Sequence, residues 1–297
     1  MTEHVPVLTA ELVRLLRPES GGVFVDCTVG LGGHARALLA AGAGRVVGLD
    51  RDTDALIRAR EALSPWVGRV DLVHADFRTI GSVLDRLGVP LIDGALADLG
   101  VSSLQLEGTG RGFSFQRDEL LDMRMDRSEG ETAAQLIAGS SERDLADAIF
   151  RYGEERYSRR IARALVEARR ESPIETTGRL AAIVRRAIPR RGPMRIDPAT
   201  RTFQALRIWV NRELERLDEF LVTTGRRLRA GARIVVITFH SLEDRIVKHT
   251  FRALERSDGV LNVLTKKPIV PTEEEVHHNP RARSAKLRAA ERVFGTA

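Results

Sequence analysis

The chain has 297 residues, of which 43% are hydrophobic and 30% are charged, a composition typical of a folded globular protein and not of a disordered one. Its single cysteine, Cys27, excludes a disulfide framework and a cysteine-based zinc site, and fits the reducing cytoplasm. The formal net charge of +6 points to a polyanionic partner such as nucleic acid, with a solvated arginine-rich surface as the alternative.

The composition also narrows the mode of binding and the expected location. Aromatic residues make up only 5% of the chain, which argues against a nucleic-acid binder built on stacking platforms and favours contacts to shape and phosphate. No basic leader precedes an apolar run, and no window approaches the roughly 18 apolar residues of a membrane span. We therefore expect neither a signal peptide nor a membrane contact.

The first hundred residues alternate between short β-rich runs and helical patterns, which is typical of βαβ units and a parallel sheet. Strands are predicted over residues 22–26, 44–50, 69–76 and 92–100, with helices over 35–41, 52–63 and 80–87.

The alternation then stops. Residues 132–191 are helical in pattern and rich in arginine, and a single long helix is predicted over 204–228. A buried strand over 231–239 and a helix from residue 242 follow, and residues 261–265 and 286–294 are predicted to form a closing antiparallel pair. The simplest topology is an open α/β sheet interrupted after its fourth strand by a helical insertion.

Three glycines follow the first predicted strand in the segment VDCTVGLGGH. Gly30, Gly32 and Gly33 allow a tight turn and a close approach of the backbone to a ligand at a helix N-terminus. Asp50 ends the second strand, where a carboxylate can accept both hydroxyls of a ribose. The spacing does not choose a cofactor, because Gly30, Gly32 and Ala35 with Asp50 also satisfy the NAD pattern. A plain tight turn is the third interpretation.

Two more strand ends favour one nucleoside cofactor over the other. Asp76 and Phe77 follow the third strand, where an acid and an apolar ring can hold the edge and face of an adenine. Asp98 ends the fourth strand at the carboxyl edge of the sheet, where ligands of open α/β sheets bind. This arrangement suits S-adenosylmethionine better than NAD. His34 stands where a P-loop would need lysine, so nucleotide hydrolysis is not expected.

Together these motifs resemble the ribosomal RNA small subunit methyltransferase H family, over nearly the whole chain. The matching blocks are HVPVL, GLGGH, DRD, DLGVSSLQ, RGFSF, LDMRMD, YGEERYSRRIARAL, PATRTFQALRIWVNREL, TFHSLEDRIVK and NPRARSAKLR. Two residues depart from the family pattern: Leu104, where members often carry proline, and Leu120 in DELLDMRM, which usually reads DGPLDMRM.

The resemblance implies a class I Rossmann-like methyltransferase domain, residues 1–108 and 208–297, with an inserted all-helical substrate-recognition domain at 109–207. It implies N4-methylation of a decoding-region cytosine in 16S rRNA of the small ribosomal subunit, with S-adenosylmethionine as cofactor and no metal. We expect a cytoplasmic monomer or homodimer. The cofactor-binding residues that the resemblance implies are Gly32, Gly33, His34, Asp50, Phe77, Asp98 and Gln105.

The catalytic role is assigned to Asp98, with pure cofactor contact as the competing role. Three phenylalanines are candidates for stacking on the target base: Phe113, Phe115 and Phe239. The segment FHSLEDR reads either as a helix start capped by Ser241 or as a lining of the target-base pocket.

Basic segments raise a similar ambiguity. Arg201 and Arg207 can clamp phosphate or simply cap helices. The C-terminal NPRARSAKLR segment with Arg281, Arg283, Lys286 and Arg288 can contact RNA or serve only solubility. His277 and His278 lack further ligands at metal spacing and read as a loop.

Two alternatives from other classes stay open at this point. One is an NAD-dependent oxidoreductase, and the other is a non-catalytic RNA-binding assembly factor that keeps the nucleoside pocket as a relic.

Overall fold

The computed structural model describes residues 6–102, 105–106, 110–189, 196–256 and 259–293. The chain divides into two compact units: Met1–Gly100 with Arg216–Ala297, and Val101–Glu215. The expected domain boundary at 108 and 109 lies outside the described residues, so the boundaries drawn from the sequence stay a prediction.

In the first unit, seven strands among the described residues form one sheet in the order β3-β2-β1-β4-β5-β7-β6. Neighbours from β3 to β5 run parallel, and β7 runs antiparallel to both β5 and β6. The Rossmann-like α/β fold and its closing antiparallel pair are confirmed. The strands are β1 Val23–Asp26, β2 Arg45–Asp50, β3 Val70–His74, β4 Ile92–Asp98, β5 Leu228–Thr238, β6 Leu261–Val263 and β7 Lys286–Arg292.

The helices of the described residues cover the sheet in the first unit and build the second unit. They are α1 Thr9–Leu16, α2 Gly33–Ala40, α3 Thr53–Ala62, α4 Ile80–Arg86, α5 Ala133–Gly139, α6 Glu142–Gly153, α7 Ser158–Glu171, α8 Thr177–Ala187, α9 Ala199–Asn211, α10 Leu217–Arg227, α11 Ser241–Arg256 and α12 Glu273–His278. Within the described residues, no helix combines the length and the apolar character that a bilayer crossing requires. His277 and His278, predicted as a loop, close α12 instead.

The strand order places a crevice at the centre of the sheet. The chain builds β1, β2 and β3 in one direction and then crosses to the other side of β1 to form β4. The strand order therefore reverses between β1 and β4, and sheets of this class bind ligands at the carboxyl ends of the strands where such a reversal occurs. The central strands are apolar because both faces are covered: Val25, Leu96 and Ile234 are fully or almost fully buried.

The second unit is helical, as predicted. Leu145, Ile149, Ile161 and Leu165, which mark the apolar face of the sequence pattern, are all completely buried in its core. Helix α5 begins with a capping box, in which Thr132 and Gln135 satisfy each other's backbone N–H groups and set the helix start.

The prediction of one long helix over 204–228 is wrong. The chain instead forms α9 and α10, and the residues between them include Arg212 and Arg216 with φ of 50° and 57°. The buried Asn211 ends α9: its amide donates to the carbonyl of Met123 at 2.7 Å and accepts from the N–H of Met125 at 2.7 Å. These bonds to a distant segment outweigh the helical propensity of the sequence.

Candidate functional site

The predicted glycines form the turn from β1 into α2 at the carboxyl edge of the sheet. Gly30 and Gly32 have φ of 51° and 83°, in the left-handed region that favours glycine. A Cβ on Gly33 would lie 2.6 Å from Cγ of Pro6, so no side chain fits there. The turn therefore keeps its backbone N–H groups close to the crevice at the start of α2.

Asp50 ties this turn to the end of β2. Its Oδ2 accepts from the N–H of Gly30 at 2.8 Å, and its Oδ1 accepts from the N–H of Asp52 at 2.9 Å. Burial raises the pKa of Asp50 to about 6, against the lowering effect of these two N–H donors. Each carboxylate oxygen has a further lone pair, so Asp50 can still accept ribose hydroxyls.

A polar cluster joins the ends of β1 and β4. Asp26 Oδ1 accepts from the N–H of Thr28 at 3.2 Å, and the Thr28 hydroxyl accepts from the N–H of Asp98 at 2.7 Å. Nε2 of His34, on α2, lies 3.4 Å from Oδ2 of Asp98, close enough for charge attraction but without hydrogen-bond alignment. Two acids and an imidazole thus gather at the crevice.

The buried groups of this cluster change one another's pKa values. Burial raises the pKa of Asp26 to about 7, while the charge of His34 and the N–H of Thr28 act in the opposite direction. Burial lowers the pKa of His34, but the carboxylates of Asp98 and Asp26 outweigh this and leave it raised. Strongly perturbed groups in a crevice indicate a functional site.

Several polar atoms of this cluster lack a hydrogen-bond partner among the described residues. They are Oδ2 of Asp26, Oδ1 of Asp98 and Nδ1 of His34, all buried. Most buried polar atoms in folded proteins are paired, so a concentration of unpaired ones calls for a ligand. Two of the three are carboxylate oxygens and suit a cationic group such as an ammonium.

Asp76 and Phe77 lie after β3 and differ in whether their side chains are available to contact an adenine. Burial would raise the pKa of Asp76, but hydrogen bonds from Arg78 and the charge of Arg51 hold it below its usual value. Arg78 binds both carboxylate oxygens, at 2.8 and 2.6 Å. Phe77 is half-buried, with its ring centroid 4.7 Å from that of Phe220. Phe77 can offer a ring face to an adenine, whereas Asp76 is already engaged.

Gln105 belongs to the second unit. Its side-chain oxygen accepts from the N–H of Ser102 at 3.0 Å, and the Ser102 hydroxyl accepts from the N–H of Gln105 at 3.3 Å. This pair holds Gln105 in place. Of the two departures from the family pattern, Leu104 lies outside the described residues, and Leu120 is 65% exposed.

The turn after β5 is closed by Glu243. This buried carboxylate accepts from the N–H of Phe239 at 2.9 Å and lies 3.1 Å from Nε2 of His240. His240 Nδ1 in turn faces the N–H of Glu243 at 3.4 Å. Both ring nitrogens of His240 therefore face Glu243. The predicted helix start in FHSLEDR is confirmed, since α11 begins at Ser241, and the lining of the base pocket stays a prediction.

Several predicted RNA contacts serve the fold instead. Arg288 is buried and binds Asp244 through Nε at 2.6 Å, and Lys286 lies 3.8 Å from the same carboxylate. Arg207 binds Glu213 through two hydrogen bonds of 2.9 and 2.7 Å. Because paired charges neutralise each other, these arginines are poorly placed to grip phosphate.

The candidate stacking residues are similarly constrained. Phe113 is buried, and Phe115 packs against Phe203 at 4.8 Å between ring centroids. Phe239 is half-buried and packs beside Gly100.

The sequence analysis missed Asp26 and Thr28. The signal for Asp26 was available, since it ends a predicted strand just as Asp50 and Asp98 do. Thr28 gave no signal, because its hydroxyl acts through a bond to a residue seventy positions away.

Comparison with known proteins assigns the chain to a family. The model of the MraW methylase family matches residues 1–293. The ribosomal RNA small subunit methyltransferase H of Geotalea uraniireducens is 48% identical over 307 residues, covering 98% of both chains. The protein of that name from Sorangium cellulosum is 52% identical over 296 residues, covering 99% of this chain and 92% of its own.

Proposed function

The chain belongs to the MraW methylase family, and from this premise we propose that it transfers a methyl group from S-adenosylmethionine to N4 of a decoding-region cytosine in 16S rRNA. The relatives that are about half identical over almost the full length carry a small-subunit rRNA methyltransferase name, which supports the substrate class. Membership in a methylase family leaves no support for the oxidoreductase alternative.

The observation that carries the proposal is the unpaired polar cluster at the switch point of the sheet. Oδ2 of Asp26, Oδ1 of Asp98 and Nδ1 of His34 form a buried set that fits the amino-acid end of S-adenosylmethionine. When bound, this cofactor supplies an electrophilic methyl group on a sulfonium. We assign the binding of its ribose to Asp50 and of its adenine face to Phe77.

The remaining contacts of the cofactor complete the proposal. We assign the close backbone approach to Gly32 and Gly33 and polar contacts to His34, Asp98 and Gln105. We also assign substrate recognition to the second unit and to the C-terminal basic segment. In that segment, Arg281 and Arg283 are exposed on a short 3-10 turn. The protein would act in the cytoplasm, as a monomer or a homodimer, with no metal required.

The chain's own residues contribute mainly by positioning. The exocyclic amine of cytosine is a weak nucleophile because its lone pair is delocalised into the ring. A carboxylate that accepts one N–H of the amine favours the tetrahedral nitrogen formed on attack, and Asp98 at the end of β4 is the candidate. The acidity of the nitrogen rises as the methyl group arrives, so proton loss can follow transfer without a strong base. The base must leave its stack to reach the crevice.

A single-turnover assay tests the proposal. Small subunits from cells that lack this modification are incubated with excess enzyme and methyl-labelled S-adenosylmethionine, and the labelled nucleoside is identified by digestion and mass spectrometry. We expect N4-methylated cytidine at one position. Subunit binding without label transfer would identify the chain as a non-catalytic assembly factor, and label on another base or atom would refute the N4 assignment.

A further inference from the structure

The second unit carries a basic surface at the turn from α6 to α7. We call it the turn surface and define it by Phe150, Arg156, Tyr157, Arg159, Arg160 and Arg201. None of these residues belongs to the cofactor site described above.

The turn itself is held in a fixed and strained shape. Glu154 has φ of 48°, in the left-handed region that a glutamate rarely adopts. Glu155 is buried, and its Oε1 accepts from the N–H of Tyr157 at 2.8 Å. A Cβ on Gly153 would lie 2.5 Å from the carbonyl oxygen of Arg201, so the turn packs directly onto α9. Such strain persists where the surroundings enforce it, often at functional sites.

This shape brings arginines together at the surface. Arg201 donates to the carbonyl of Glu154 at 3.2 Å, yet 56% of its side chain is exposed. The Arg156 guanidinium lies 4.7 Å from the centre of the Tyr157 ring, a cation–π contact at the surface. Arg159 and Arg160 are exposed and make no ion pair with any residue that the structure describes.

Acids neutralise only part of this group. Glu155 pairs with Arg201 at 3.9 Å, and Glu154 is the exposed acid of the turn. The four guanidinium groups of the turn surface therefore outnumber the carboxylates beside them.

A phenylalanine adds an apolar contact to this charged region. Phe150 is 60% exposed on α6 and precedes Glu154 by one helical turn. A nucleic acid can use this exposed aromatic ring, because every unpaired base offers a face that stacks on such a ring. An acidic protein would match the charge but gives no comparable reason for the ring.

We propose that the turn surface binds a single-stranded RNA segment, with arginines on its phosphates and an unpaired base on Phe150. The guanidinium fork matches phosphate oxygens in pairs. This inference rests on the proposed function for the identity of the RNA, and it adds the surface and the form of RNA that it recognises. The composition, poor in aromatic residues, allows such a contact because one well-placed ring is sufficient.

Fluorescence anisotropy with the full chain tests the surface. The probes are a labelled single-stranded RNA of roughly 20 nucleotides without self-pairing and the same RNA in a duplex, measured from about 50 to about 200 mM KCl. The variants are Arg159→Glu with Arg160→Glu, and Phe150→Ala. The control is Arg143→Glu with Arg170→Glu, which makes the same charge change at exposed positions about 15 Å along the two helices.

We expect the Arg159→Glu, Arg160→Glu variant to bind single-stranded RNA at least tenfold more weakly, with the slope of log affinity against log salt reduced by about two. Phe150→Ala should lose roughly tenfold on the single strand, with an unchanged slope and unchanged affinity for the duplex. The control should keep the wild-type slope. Equal losses in the control, or wild-type binding by Phe150→Ala, would overturn the proposal.

Two further readouts separate this proposal from the function itself. Circular dichroism and S-adenosylmethionine titration show whether each variant keeps its fold and its cofactor site. If the wild type methylates subunits but the variants bind RNA normally, the proposed RNA binding at the turn surface is wrong and the proposed function stands. If the wild type transfers no methyl group to rRNA while the variants lose RNA binding as expected, the function fails and the surface stands.

Discussion

At the scale of single residues, the site depends on aspartates that have similar positions and different environments. Asp26, Asp50 and Asp98 each end a parallel strand, and the strand pattern alone predicts that they meet at one edge of the sheet. Their protonation follows from burial and from local donors, which no strand pattern encodes. The consequences differ for each residue and can be measured separately.

Asp50→Ala should abolish binding of S-adenosylmethionine while the protein stays folded. The change removes the acceptor for ribose hydroxyls and also the bond from Asp50 Oδ2 to the N–H of Gly30, which fixes the glycine turn. Isothermal titration calorimetry measures the affinity, and thermal unfolding confirms the fold. Asp54→Ala, an exposed aspartate at the start of α3, is the matched control and should bind normally. Wild-type affinity in Asp50→Ala would remove Asp50 from the site.

Asp98→Asn keeps the shape of the side chain and removes its charge, so it separates catalysis from cofactor contact. If the carboxylate acts on the cytosine amine, single-turnover methylation at saturating cofactor and subunit should fall roughly a hundredfold or more. A rate that recovers completely at saturating cofactor would show that Asp98 only binds. The dissociation constant of the cofactor is measured in parallel and shows how much cofactor affinity Asp98→Asn loses.

Asp26 should make stability depend on pH. Its pKa is about 7 in the folded protein against 3.8 as the ordinary value, so the native state binds its proton more tightly than the unfolded state. The contribution is complete below pH 4 and is lost as the pH rises through about 7. Asp26→Asn should therefore gain stability relative to wild type between pH 5 and 8, on the order of a few kcal/mol. Urea unfolding measures the free energy of unfolding of both proteins across this range. A difference between them that does not change with pH would contradict the raised pKa of Asp26.

At the scale of elements, segments rich in arginine show what the sequence can and cannot predict. Helical periodicity correctly predicted the buried faces of α6 and α7, because hydrophobic burial follows spacing along one helix. The same reasoning did not separate Arg288, buried against Asp244, from the exposed Arg159. The partner of Arg288 lies 44 residues away, and only the packing of β7 against α11 brings the two together.

The end of α9 offers a test of such distant contacts. Asn211→Ala should destabilise the protein by roughly 2–4 kcal/mol, because it leaves the carbonyl of Met123 and the N–H of Met125 buried without partners. Urea unfolding measures the loss. Asn262→Ala changes an exposed asparagine on β6 and should alter the free energy of unfolding by less than about 0.5 kcal/mol. Similar small effects in both variants would show that Asn211 does not hold the two segments.

At the scale of the whole molecule, the sequence predicted the architecture well and the details of the site less well. Local hydrophobic periodicity predicted where strands and helices alternate, where the alternation stops and where it resumes. The placement of Gly30, Gly32 and Asp50 followed from the topology. Thr28 and the break at Arg212 were not readable, since both depend on hydrogen bonds between segments far apart in the chain.

The division of the first unit into two chain segments has a consequence for biosynthesis. β5 is the parallel neighbour of β4, yet the entire segment Val101–Glu215 is translated between them. At elongation rates of about 5–20 residues per second this interval lasts roughly ten seconds. During that time the nascent sheet ends at β4, whose apolar edge exposes unpaired N–H and C=O groups to other chains. The helical unit can fold while the ribosome continues, whereas the catalytic sheet can close only after β5 has emerged. Newly made chains therefore carry an unpaired sheet edge, a template for aggregation, until β5 pairs with β4.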